Sequence, residues 1–218
     1  ILRVIALDRE GSVLILLCKH TVKYRLLLFD ISSGMFRDQF EFAEGDRVIN
    51  VKKIQIENKA FESEDVLCVM YVSGSPSAFY SKWRLIKVVP SPTNDPTKKM
   101  PKFEPREEYT EQEVNELITT VFTLGEVLFL AVENRLIQLH PSGGYKATRT
   151  YYPNLSYIVD ASVSNNSVIL TNIKGTLVFC IWMKDQKKLI QKTEISLGEV
   201  FLYESKFLDL KQAKVGFC

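Results

Sequence analysis

The chain has 218 residues, 46% hydrophobic and 25% charged, the composition of a globular protein with room for one all-β domain or two smaller ones. Lys and Arg number 28 against 26 Asp and Glu, a net charge of +2, so no strong overall field draws in nucleic acid or an anionic membrane. No apolar run reaches the ~20 residues of a bilayer-spanning helix, and the chain opens at Ile1 without the basic and small-residue flanks of a signal peptide.

From the start, Leu2 to Leu7 and Val13 to Cys18 are apolar runs separated by Asp8-Arg9-Glu10-Gly11, a turn-like cluster. Lys23 to Ile31 predicts the next strand, closed by Ser32-Ser33-Gly34. Met35 to Phe42 alternates, with Phe36, Phe40 and Phe42 on a similar parity, as a half-buried outer strand does. A second cycle opens at Val48 with VINVKKIQI. It continues through an acidic loop, Glu62 to Asp65, into VLCVMYVSG and then WRLIKVV from Trp83.

Prolines at 90, 92, 96, 101 and 105 then break the rhythm. That density removes backbone donors and predicts a long extended or irregular connection over about 90–108. Lys98, Lys99, Lys102 and Arg106 make it basic around Phe103, which offers a possible interaction surface; a solvated loop is the plainer reading.

Val114 to Ile195 carries the clearest pattern. Eight runs of about five to ten residues, rich in Val, Ile, Leu, Phe and Tyr, are each closed by Gly, Asn, Pro or Asp. Four runs make one cycle, and the cycle runs twice. Thr110 and Glu113 have capping-box spacing, but the continuation ITTVF favours a strand over a helix. Val114, Tyr157 and Val200 open equivalent runs at intervals of about 43 residues, close to the ~40–50 of β-propeller blades.

The expected fold is therefore all-β: a partial β-propeller of four-stranded antiparallel blades, with four blades' worth of strands over 1–218 and a proline-rich insertion. Neither Trp83 nor Trp182 is followed by Asp, so the WD signature is missing. VFLYESKFLDLK and KVGFC are expected to open one more blade, which makes the chain a piece of a longer scaffold.

The chemistry-bearing residues are sparse. Cys18, Cys68, Cys180 and Cys218 stand singly in apolar runs, and the first three are expected to be buried free thiols in a reducing compartment. His20 and His140 sit in turn contexts without metal-ligand spacing. Phosphate-loop and dinucleotide glycine patterns are absent from the sequence, and Ser73-Gly74-Ser75 lacks a strand–elbow–helix context. Carboxylate pairs such as Glu107-Glu108 fall in charged loops. The reading is non-enzymatic, with no catalytic, metal or cofactor residues. Lys146 to Arg149 followed by Tyr151 and Tyr152 has the composition of an RNA-contacting ribbon. The flat charge balance favours an outer strand whose tyrosines pack on the neighbouring blade.

Three runs carry a family resemblance: LFLAVENRLIQL, YIVDASVSNNSVILTNIKGTLVFCIWMKDQKKLIQKTE and VFLYESKFLDLKQAKVGF. They resemble the C-terminal region of the CPSF A subunit family. Those large multi-propeller scaffolds include the largest subunit of cleavage and polyadenylation specificity factor, the large subunit of UV-damaged-DNA-binding protein and a splicing-factor 3b scaffold. Leu170-Thr171-Asn172 stands where the family usually has an apolar-Gly-Asp turn, which marks a divergent member. Val88-Val89-Pro90-Ser91-Pro92 followed by Thr97-Lys98-Lys99 is most similar to the polyadenylation branch. The resemblance implies a non-enzymatic scaffold in the nucleus that holds other protein subunits, among them a WD-repeat and a zinc-finger protein, with pre-mRNA contacted indirectly. An adaptor of a cullin ubiquitin ligase, a splicing-factor scaffold and a direct RNA-binding module are the alternatives.

Overall fold

The computed structural model describes residues 1–6, 12–57, 63–90, 101–110, 116–140, 144–172 and 174–196. Among them there is no helix. Sixteen strands form four sheets, each of four antiparallel strands paired in sequence order. The first blade holds β1 (Arg3–Ala6), β2 (Val13–His20), β3 (Lys23–Asp30) and β4 (Met35–Glu41); the second holds β5 (Arg47–Glu57), β6 (Ser63–Ser75), β7 (Ala78–Pro90) and β8 (Pro101–Thr110). The third holds β9 (Ile118–Leu124), β10 (Val127–Val132), β11 (Arg135–His140) and β12 (Lys146–Tyr151), and the fourth β13 (Ile158–Ser164), β14 (Ser167–Asn172), β15 (Thr176–Met183) and β16 (Lys188–Ser196). This is the expected all-β partial propeller of four-stranded blades. The chain divides into two compact units, Ile1–Ile118 and Thr119–Cys218, with two blades in each.

Local sequence explains the hairpins. Ser164 pairs with Ser167 across a two-residue turn in which Asn165 has φ 53°, and Asn is among the few residues that tolerate this left-handed conformation. Gly125, at φ 60°, joins β9 to β10 in the same way.

Alternation along the strands gives each unit a core between its blades. In the first unit Ile15, Leu17, Leu26 and Leu28 of one blade meet Val51, Leu67, Val69 and Ile86 of the next. Phe42 joins them, with Phe40 edge-on at 5.0 Å and Tyr71 at 5.3 Å. In the second unit Phe129, Ala131 and Leu136 meet Ile158, Val168, Val178 and Trp182. Thr119 ties the inner strands there, its hydroxyl donating to the Ile158 carbonyl at 2.6 Å.

Two expectations are corrected. The connection does not reach 108: the extended alternative holds from Pro101, but Pro101–Thr110 is the outer strand of the second blade and not a linker. Proline is tolerated on an end strand, whose outer edge needs no ladder donors. Pro101 pairs with Pro90, and Pro105 stands opposite Ile86 beside a register irregularity. Likewise, Glu64 and Asp65 are ladder residues of β6. They form cross-strand ion pairs, Glu64 with Lys87 and Asp65 with Lys53, the latter at 2.7 Å. The expected further strands after Val200 lie outside the described residues, as does 111–115 of the helix alternative.

Candidate functional site

The residues singled out from the sequence separate into two groups. In the proline-rich group, Lys98 and Lys99 lie outside the described residues. Lys102 is exposed on β8, opposite Val89. Arg106 is in β8, but its side chain is outside the described part. Phe103 is not a surface residue: it is 8% exposed and belongs to the core of the first unit, with Val88 opposite in register. Its N–H donates to the Asp38 carboxylate of the neighbouring blade at 2.6 Å. Strand alternation is the reason, since Lys102 and Glu104 point out on either side of an inward Phe103.

The second group is built on β12. A bulge at Gln138/Leu139 places Arg149 opposite Gln138 and Lys146 opposite His140, while Tyr151 pairs with Leu136. Leu136, Gln138 and His140 share one face of β11, so Lys146, Arg149 and Tyr151 share the face turned to the fourth blade. Tyr151 is half-buried against that core. Its hydroxyl donates to the Gln138 side chain at 2.9 Å and accepts from the Leu189 N–H at 3.4 Å, and its ring lies 6.2 Å from Phe129. The expectation of a tyrosine packed on the neighbouring blade describes Tyr151. Tyr152 has the opposite fate, 71% exposed. Arg149 is exposed and lies over the Tyr151 ring at 5.9 Å, and its Nη1 donates to the Lys187 carbonyl at 3.4 Å.

Between β12 and β16 a shallow cleft opens, with about 100 Å³ of space accessible to water, lined by Leu136, Tyr151, Tyr152, Pro153, Cys180, Leu189 and Gln191. The sequence reading missed its second wall. Leu189 and Gln191 alternate within KLIQ, which signals a strand face but not the partner across from it. The wall offers no nucleophile: burial pushes the Cys180 thiol up to about 12, and burial also drives the Cys68 thiol upward in the first unit.

Neither histidine lines the cleft, although His140 stands opposite Lys146 at the end of β11. His20 Nδ1 lies 3.2 Å from the Thr21 hydroxyl, and His140 Nε2 is 3.6 Å from a Glu126 carboxylate oxygen. Among the described residues no group of three His, Cys, Asp or Glu side chains is placed to hold a metal ion. The arrangement can bind through one exposed aromatic, flanking cations and a small apolar cleft. No family model matches the chain, and no curated protein matches it.

Proposed function

We propose that the chain serves as a non-enzymatic scaffold of the mRNA 3′-end cleavage and polyadenylation machinery, working in the nucleus by binding other protein subunits. The observation that carries this reading is the resemblance in LFLAVENRLIQL and YIVDASVSNNSVILTNIKGTLVFCIWMKDQKKLIQKTE, together with where these runs fall. They span β10–β11 and β13–β16, strands of two successive blades whose inward residues are consumed in blade-on-blade packing. What remains for function is outward-facing surface, the part of a scaffold that is available to hold partners. The test is purification of the tagged full-length protein from nuclear extract, followed by mass spectrometry. WD-repeat and zinc-finger subunits of the polyadenylation machinery are expected. Recovery of a cullin or of splicing factors moves the protein to another branch of the family, and recovery of none of these overturns the reading.

A further inference from the structure

The cleft on the second unit has a built geometry. β12 with the segment after it and the β15–β16 arm run side by side in step. Arg149 meets the Lys187 carbonyl, Tyr151 meets the Leu189 N–H, and the Asn154 N–H donates to the Gln191 side-chain oxygen at 3.2 Å. Asn154 also donates to the Glu194 carboxylate. These bonds hold two outer strands as the walls of one groove, with the apolar cleft at its centre.

Cations outnumber carboxylates along the groove. Lys146 and Arg149 lie on the groove face of β12, Lys184 and Lys187 bound the β15–β16 turn, and Lys192 sits at the register irregularity of β16. All five are exposed, and none is in an ion pair among the described residues. Nearby carboxylates are Asp185, Glu194, which Asn154 already engages, and Glu126, 3.6 Å from the His140 ring opposite Lys146. A chain of nearly balanced charge thus concentrates cations where it also offers an apolar cleft.

From this we infer that the groove docks an acidic, extended peptide segment of a partner protein, which places one leucine- or proline-sized side chain between Tyr151, Tyr152 and Leu189. The size follows from the volume, which is below the ~150 Å³ that accepts a benzene ring. The cations supply charge complementarity for the flanking acidic residues. Single-stranded RNA fits less well, because it needs successive aromatic platforms. Tyr151 is committed to the core through Phe129, Gln138 and Leu189, which leaves Tyr152 as the one exposed ring of the ribbon. The inference rests on the scaffold reading only in taking the partner to be a protein.

The experiment uses the intact chain and a short fluorescein-labelled peptide of Glu and Asp with one central leucine, followed by anisotropy at low and at physiological salt. Saturable binding is expected, weakened by salt. Replacing the peptide's leucine by alanine, or combining Lys187→Glu with Lys192→Glu, lowers affinity roughly tenfold, and Tyr152→Ala lowers it about fivefold. Lys174→Glu, in the β14–β15 turn at the other end of the blade, changes it less than about twofold. All these positions are exposed, so the fold is retained. The inference is overturned by absence of saturable binding, by equal binding of the two peptides, by an equal effect of Lys174→Glu, or by tighter binding of a uridine oligonucleotide at the same groove. If the peptide fails while the nuclear purification still recovers polyadenylation subunits, the groove falls and the scaffold reading stands. If the peptide binds but the purification recovers no such subunit, the scaffold reading falls and the groove stands.

Discussion

Removing Phe129 is the most direct test of blade-on-blade packing as the source of stability in the second unit. Phe129 is fully buried on β10, stacked on Phe122 at 5.0 Å with 7° between the rings, and met edge-on by Trp182 of the next blade at 5.5 Å and 79°. Phe129→Ala deletes one ring from a core shared by two sheets and leaves a cavity, at a cost of about 3–5 kcal/mol. The two aromatic pairs lie within that figure at ~0.5–1.5 kcal/mol each. Phe129→Leu retains most of the volume and costs about 1–1.5 kcal/mol. Trp182 reports on this core directly, and Trp83 lies in the other unit, so a Trp83→Phe background isolates the signal. In urea, with a slope of about 2 kcal/mol per molar, Phe129→Ala lowers the unfolding midpoint by roughly 2 M and Phe129→Leu by less than about 1 M. A shift for Phe129→Ala no larger than the ~0.5 kcal/mol of a surface substitution would refute the shared-core argument.

Three further outcomes are expected. Ser32, Arg37 and Ser33 hydrogen-bond the Asp30 carboxylate and hold it well below its ordinary value of 3.8. A depressed folded pKa stabilises above the unfolded value, so this contribution is complete above 3.8 and lost as pH falls below it; acid titration of Asp30→Asn followed by circular dichroism should show a shallower loss of stability below that pH. Gly74→Ala places a Cβ 2.5 Å from the Ala78 carbonyl oxygen at φ +117°, and backbone strain alone costs roughly 1–3 kcal/mol, read as a lower thermal midpoint. Cys68 and Cys180 are 0% and 2% exposed with thiols shifted upward, so neither is alkylated by iodoacetamide in the folded protein at mildly alkaline pH and both are alkylated in urea, as peptide mass spectrometry will register.

The blades were legible in the sequence because a strand and its turn are local events. Asn165 at φ 53° and Gly125 at φ 60° mark hairpins wherever they occur, and the apolar runs between such residues are short enough to be strands rather than helices. β8 was not legible for a reason equally physical. Two prolines in PKFEPREE are prohibitive in a central strand and harmless on an end strand, and strand order is a non-local property. The acidic start of β6 was hidden in the same way. Glu64 and Asp65 are acceptable in a ladder because Lys87 and Lys53 reach them diagonally, from neighbouring strands that the local sequence does not name.

The candidate surface shows where composition alone misleads. Both singled-out groups are mixtures of cations and aromatics along a strand, and a strand sends neighbouring side chains to opposite faces. In Lys102-Phe103-Glu104 the charges point out and the ring points in. Tyr151, the last residue of β12, turns to the core, while Tyr152 just beyond the strand is exposed at the rim of the same cleft. A cation–aromatic cluster therefore counts two surfaces as one until the parity is fixed, and parity needs the register. For β12 the register is set by the bulge opposite Gln138 and by the pairing of Leu136 with Tyr151. The second wall of the cleft follows a different logic, because Tyr151 and Leu189 stand 38 residues apart and meet through the packing of two blades. Within this unit, then, a binding surface is written half in strand parity, which a sequence discloses once strands are assigned, and half in blade packing, which it does not.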